Sequence, residues 1–412
     1  MATENPRVWF KSISLENVRS FGTKQTIDFT DKDGNAARWN VILGDNGTGK
    51  TTVLKGLLVI VQNQQSITET GIDFTELWRF DKENLGAKIT GIISKTNEEI
   101  PTGFTSEKWF KDAKYNAGCT FRLTRDYEID LNIFAYNAAR RISTSAISEK
   151  KVNQISSFYS ENNDLINAEE WLVQADYISL KEEKFRRRYL RVMSILRQIF
   201  RDEIFGIDIQ TYTGTPKVFF KTHYGDVRLH ELSLGYKTLI AWMVDFAKGL
   251  FDRYPDSENP LAEPAVCLVD EIDLHLHPKF QRTIIQFLTD TFPNTQFIVT
   301  AHSPLIVQSA GDANIILLKR VGDETHVAEG IDVHSWRIDQ ILSSDLFGGI
   351  STRPPETEDK IQRRRALLLK DNRTKKEDQE LAQLEEELGQ LTSSESWEAL
   401  KALELIGKAL SK

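Results

Sequence analysis

AVCLVDEIDLHLHPKFQRTIIQFLTDTFPNTQFIVTAHSP, residues 265–304, decides the architecture. It opens on an unbroken apolar run, Ala265 to Val269, too short to be a helix. Such a run ending in acids reads as a buried parallel strand. Asp270 and Glu271 then stand at the strand's C-terminal end, where open α/β sheets place their ligands. A second apolar strand, Gln296 to Thr300, delivers His302 to the same edge. Pro278 suits the first turn of a connecting helix that runs through Phe287. Two strands joined in this way form a right-handed crossover, so both polar ends face one crevice. Adjacent carboxylates there can divide the work, one on a magnesium-bound water and one polarising an attacking water. That chemistry needs a phosphate cradle.

The cradle lies upstream. Residues 7–29 read as a hairpin of two strands, and WNVIL (39–43) as a buried strand. The latter leads into Gly44-Asp45-Asn46-Gly47-Thr48-Gly49-Lys50-Thr51-Thr52 and then the helix VLKGLLVIV. This is a G-x-x-x-x-G-K-[ST] loop in its proper place, after a strand and before a helix. Glycines let backbone N–H groups wrap phosphates, and the helix N-terminus adds positive potential. Lys50 is expected to reach the β- and γ-phosphates, and the Thr51 hydroxyl to ligate magnesium.

The remaining chain is less explicit. KITGIISKT and CTFRLTRDYEIDLNIFAY read as strands of an antiparallel region, and residues 103–118 as loop. A strand-to-helix change is expected at 135–143, carrying Arg140 and Arg141, which suit either a nucleotide or partner contact or a solvated helix start. Residues 144–205 are mostly helical by pattern, and Lys184, Arg186, Arg187, Arg188 and Arg191 crowd the most amphipathic stretch. That run reads as a solvated helix face, with a DNA contact as the alternative. IDIQTYT and KVFFKTHYGDVRL read as strands, and IILLKR (315–320) as the last core strand. Ser233 and Gly235, in LSLGY, open an apolar helix; alone the stretch reads as a serine N-cap, and its place about thirty-five residues ahead of the acidic strand end makes it suit an anion. His275 and His277 have D-x-H-x-H spacing that suits a metal, but Pro278 starts a helix there and a structural role is preferred. Beyond Pro354 charges dominate, with Leu381, Leu384, Leu388 and Leu391 on one stripe and Trp397, Leu400, Leu403, Ile406 and Leu410 on another. Those stripes bury against the chain's own core or dock a partner.

With 412 residues the chain can hold a large core, and length suggests two or three domains. A net charge of −8 leaves any nucleic-acid contact to a local patch. Two cysteines, Cys119 and Cys267, give neither a disulfide framework nor a four-cysteine zinc site. No signal peptide is visible, and no apolar run approaches the ~20 residues of a membrane span, so the cytoplasm is expected.

The order of 44–52, LSLGY (232–236), LVDE (268–271) and TAHS (300–303) resembles the ATP-binding-cassette ATPases. ISLENVRSF (13–21) and DEIDLHLHP are similar to their RecF, OLD and SMC-like branch. The resemblance implies an α/β fold: an ABC-type ATPase head over 1–353 with a mixed central sheet, an antiparallel β region and a helical lobe inserted at 144–205. A helical C-terminal tail, 354–412, follows as a docking segment. It also implies Mg-ATP held by Lys50, Thr51 and Asp270, with Asn46, Gly47, Thr48, Gly49 and Thr52 completing the cradle. Arg19 would approach the phosphates, Glu271 would be the general base and His302 the switch at the γ-phosphate. The histidine just before Pro278 would be a packing residue. Ser233 and Gly235 would meet ATP on a second subunit, so a homodimer or higher homo-oligomer is expected. Leu234 and Tyr236 depart from the usual LSGGQ signature, and a metal-sensing glutamine between 60 and 140 is unassigned. There is no long coiled coil with a hinge. Within the branch, the motifs are most similar to anti-phage ATPases of Septu, retron-linked Septu and PARIS systems. A separate effector, a nuclease or toxin, is then the expected partner. The rival readings are a RecF-like repair ATPase acting on DNA, and an ATP-bound scaffold with little turnover.

Overall fold

The computed structural model describes residues 5–62, 77–79, 86–95, 98–112, 116–124, 129, 131–143, 158–159, 165–200, 202–211, 214–328, 336–349, 351, 353–370 and 372–389. The chain divides into two compact units, Met1–Ile341 and Leu342–Lys412.

The first unit is built on three sheets. Strands β1 (Val8–Glu16) and β2 (Gln25–Asp28) form the expected antiparallel hairpin. They continue through β4 (Gly86–Lys95), β5 (Glu98–Asp112) and β6 (Asn116–Leu123) in the order β2-β1-β4-β5-β6. The loop expected at 103–118 is therefore corrected to two paired strands. Its polar residues had hidden the alternation, yet Phe104 is fully buried and pairs across to Ile89.

The central sheet has the order β14-β13-β3-β12-β11-β7. It comprises β3 (Trp39–Gly44), β7 (Ile133–Tyr136), β11 (Ala265–Val269), β12 (Thr295–Thr300), β13 (Asn314–Val321) and β14 (Glu324–Ala328). All neighbours are parallel except the β13–β14 hairpin, so IILLKR is not the last strand. IFAY, read with the antiparallel region, instead lies parallel to β11 as an edge strand. No helix follows it: residues 137–140 form a turn, fixed where the Arg140 N–H donates to Asn137 Oδ1 at 3.1 Å.

Helix α1 (Lys50–Ile60) is apolar nearly all round because it lies between two sheets. Val53, Leu54, Leu57 and Leu58 share one core with Ile13, Leu15 and Ile89 of the antiparallel sheet and Ile298 and Leu318 of the central one. On the opposite face of the central sheet, Trp39 stacks on Phe297, centroids 4.3 Å apart, and Phe297 meets Phe246 and Phe292 edge-on.

Helices α2 (Ala168–Ser179) and α3 (Glu183–Ile199) represent the expected helical lobe, the rest of which lies largely outside the described residues. The third sheet has β8 (Ile204–Thr211), β9 (Pro216–Thr222) and β10 (Gly225–Arg228): KVFFKTHYGDVRL, expected as one strand, turns at 223–224 into the antiparallel β9–β10 pair. In α3, Val192, Met193, Leu196 and Ile199 are buried. Much of its basic run is spent on the chain itself: Lys184 pairs with Asp256, Arg188 donates to the Pro255 carbonyl and Arg191 to Asn259.

Helix α4 (Leu234–Arg253) precedes β11. The single helix expected from Pro278 is two, α5 (Pro278–Gln281) and α6 (Ile284–Thr291). The Thr283 hydroxyl faces the Lys279 and Phe280 carbonyls at 3.3 and 3.4 Å, the local competition that interrupts helices at threonine. Helices α7 (Pro304–Ser309) and α8 (Ile338–Ser343) follow. None of the described helices is long and apolar enough to cross a membrane.

The second unit is an antiparallel pair, α9 (Pro355–Leu368) and α10 (Lys375–Gly389). Leu367, Leu381 and Leu384 form its small core. Around it, Lys360–Glu387, Arg363–Glu380 and Arg364–Glu385 join the two helices. The charges that dominate this segment thus pair across its two helices. Leu391 and the stripe from Trp397 to Leu410 lie outside the described residues.

Candidate functional site

The C-terminal ends of β3, β11 and β12 open on one cleft of about 320 Å³. Arg19, Ser20, Asn46, Gly47, Gly49, Lys50, Thr51, Thr52, Asp270, Glu271 and His302 line it. Every expected cradle residue except Thr48 is there; Thr48 is buried beneath, its hydroxyl donating to the Asp45 carbonyl at 2.8 Å.

The loop's glycines are required. Gly49 begins α1 at φ 87, and a Cβ on it would press on the Ser20 hydroxyl at 2.5 Å and the Phe21 ring at 2.7 Å. Gly47, at φ 80, has open space beside it. The tight turn at 17–22 brings Arg19 and Ser20 against the start of α1. Ser20 was not singled out from sequence, where one serine in NVRSF carries no signal. Its buried hydroxyl has no hydrogen-bond partner in the structure.

Lys50 folds back, its ammonium donating to the carbonyls of Gly44 at 2.7 Å and Asp45 at 3.0 Å. Burial pushes its pKa down, and Asp270, then Glu271, pull it back up. Thr51 Oγ1 donates to Asp270 Oδ2 at 2.7 Å. The other carboxylate oxygen accepts from Thr300 Oγ1 at 2.6 Å. Thr300 Oγ1 in turn accepts from the Glu271 N–H at 2.7 Å. Thr300 is thus a second missed residue; its only signal was a hydroxyl ending an apolar strand. Asp273 accepts from the His302 N–H at 3.2 Å, and burial raises its own pKa. Gln281 ties the acidic loop to the histidine segment: it donates to the Leu276 carbonyl at 2.9 Å and accepts from Ser303 Oγ at 2.7 Å.

Arg140 was expected in solvent or on a ligand. It is neither: at 5 % exposure it lies behind the acids, donating to the Glu271 carbonyl at 2.7 Å. Burial pushes its pKa down to about 10 against the pull of Asp270, Asp273 and Glu271.

Ser233 and Gly235 are not in the cleft. Ser233 caps α4 from an exposed position without a side-chain hydrogen bond, and Leu234 beside it is 53 % exposed. Gly235 packs so closely on the 273–277 loop that a Cβ would overlap the His275 carbonyl oxygen. The packing role expected for His277 is corrected: it is exposed and caps α5, accepting the Lys279 N–H at 3.3 Å. Among the described residues no group of three His, Cys, Asp or Glu is arranged to hold a metal. Of the glutamines between 60 and 140, Gln62 is buried and donates to the Leu58 carbonyl at 3.2 Å, while Gln64 and Gln65 lie outside the described residues.

Thr300 offers a direct test of this wiring. Thr300→Val keeps the shape but leaves an Asp270 oxygen and the Glu271 N–H without their partner. The expected loss is about 1–3 kcal/mol of stability, read as a lower urea midpoint. A midpoint equal to the natural chain's would refute the bridge.

The Septu protein PtuA of Bacillus mycoides (strain KBAB4) is 25% identical over 389 residues, 92% of this chain and 50% of that protein. The chain thus spans about half the length of that relative. The Retron Vc95 probable ATPase of Vibrio cholerae serotype O1 biovar El Tor is 25% identical over 396 residues, 77% of this chain and 74% of that protein. Among solved structures, the SMC head domain from Thermotoga maritima covers 79% of this chain and 100% of its own at 16% identity, with a TM-score of 0.44. Residues 39–308, from the strand before the cradle to the helix after His302, match one family model along their whole length, and the chain belongs to that family, described as "AAA domain, putative AbiEii toxin, Type IV TA system".

Proposed function

We propose that the chain is a magnesium-dependent, ABC-type ATPase that dimerises around nucleotide and controls a separate effector, a nuclease or toxin, in bacterial anti-phage defence. The observation that carries the reading is the convergence of Lys50, Thr51, Asp270, Glu271 and His302 on one cleft. Thr51 and Asp270 already share a hydrogen bond, and a hydroxyl beside a carboxylate is a hard-oxygen pair that suits magnesium. Magnesium bound there would offset phosphate charge.

The chain's own groups do the rest. Lys50 exchanges the carbonyls of Gly44 and Asp45 for β- and γ-phosphate oxygens. Backbone N–H groups from Asn46 to Thr52 bind the phosphates, and Arg19 and Ser20 close the near side. Glu271 takes the proton of the attacking water. His302 faces the γ-phosphate with its backbone fixed by Asp273. Ser233, exposed, and Gly235, half-buried beside it, stand away from their own cleft and reach the nucleotide of a second copy. The relatives named as a Septu protein and a retron ATPase support the defence role. The α9–α10 hairpin is the docking segment for an effector or further copies.

Turnover with and without DNA, and light scattering with ATP or ADP, test this. Turnover independent of DNA and an ATP-dependent rise to at least a dimer are expected. A chain ending at Arg353 should hydrolyse ATP but fail to assemble with its neighbouring gene's product. DNA-stimulated turnover would turn the reading to repair, and assembly without turnover to a scaffold.

A further inference from the structure

Both backbone polar groups of Glu271 are held by side chains. Its N–H donates to Thr300 Oγ1 and its carbonyl accepts from Arg140 Nη2, each at 2.7 Å, the carbonyl also accepting the Leu274 N–H at 3.0 Å. Between these clamps the residue sits at φ 51, in the left-handed region. For a residue with a Cβ that region is unfavourable, so it persists only where neighbours impose it. The conformation matters because it turns the chain out of β11 and sends the carboxylate into the cleft.

Of the two clamps, Thr300 belongs to the adjacent strand β12 and also serves Asp270. Arg140 has no such second duty. It rises from the turn after β7 and does not line the cleft; among the described residues its guanidinium makes no other hydrogen bond, and its buried Nη1 has no partner. Its charge is balanced by Asp270, Glu271 and Asp273, and its guanidinium lies 5.8 Å from the ring centroid of Trp242. Trp242 belongs to α4, whose exposed start is Ser233. Burying an arginine to serve one carbonyl is costly unless that carbonyl's position matters.

We infer that Arg140 is the positioning residue for Glu271: through the Glu271 carbonyl it holds the carboxylate in the cleft, and through Trp242 it joins that hold to the helix beginning at Ser233. This rests on the reading of Glu271 as the base.

Arg140→Lys keeps the charge but not the planar fork, and Arg140→Gln keeps an N–H donor without the charge. ATP turnover and affinity for a non-hydrolysable ATP analogue are measured for both, for Glu271→Gln, and for the double variants. Misaiming the base should lower kcat roughly 10- to 100-fold while leaving analogue affinity within about twofold. Combined with Glu271→Gln, either Arg140 change should add nothing further, because the group it positions is already gone. Unchanged kcat, or losses that multiply in the double variants, overturns the inference alone. Loss of analogue affinity together with folding in both single variants makes Arg140 a residue of the fold, and also overturns it. Should Glu271→Gln itself turn over normally, the base assignment fails and takes this inference with it.

Discussion

Lys50→Ala is expected to lose ATP binding, by roughly a hundredfold or more. A charge-assisted contact to an anion contributes about 1.5–3 kcal/mol, and each 1.4 kcal/mol is tenfold in affinity. Here Lys50 as a whole residue is 7 % exposed, so water replaces its contacts poorly. Two other features enlarge the effect. The carbonyls of Gly44 and Asp45 lose their donor, so the empty loop is less well held. Asp270 and Glu271 lose a nearby cation, and their repulsion of the phosphates is no longer offset. Calorimetry with ATP and magnesium reads the result. Unchanged affinity would remove the foundation of the proposed function.

Glu271→Gln should behave in the opposite sense: ATP binds and persists. The amide keeps the side chain's shape but cannot accept a proton from water, and general bases contribute about 10²–10⁴ in rate. Lys50, Thr51 and Asp270 are untouched, so the variant should collect as an ATP-bound dimer, visible by light scattering with retained nucleotide. Turnover near that of the natural chain would reassign the base.

The cradle and the strand carrying Asp270 and Glu271 were legible because each rests on local order: an apolar run, then a fixed spacing of glycines, lysine and acids. Two parallel strands that both end in polar groups must open on the same edge, so His302 was placed too. What escaped reading depends on contacts distant in sequence. Thr300 is one β-branched residue among several until β12 sets it beside Asp270, 30 positions away. Arg140 sits 131 residues from the carbonyl it holds, and nothing in AYNAARRIS separates a buried arginine from a solvated one. The 103–118 stretch was misread for a different reason. Its strand is supported by ladder hydrogen bonds to β4 and β6 rather than by a consistently apolar face, and pairing leaves no mark on composition. Break points inside helices, as at Thr283, are likewise decided by a side chain competing with the backbone.

The close approach of Gly235 to the His275 carbonyl has a consequence for the proposed dimer. Gly235 belongs to the stretch assigned to a partner's nucleotide, while His275 lies four residues beyond Glu271 in the chain's own cleft. With no side chain between them, there is no soft layer to absorb a displacement of one against the other. Occupancy of the partner's cleft would then be felt as a shift of this chain's acidic loop, and the reverse must hold with the same coupling free energy. The two ATP molecules of such a pair would be read as one joint input, which suits a sensor that must ignore single binding events.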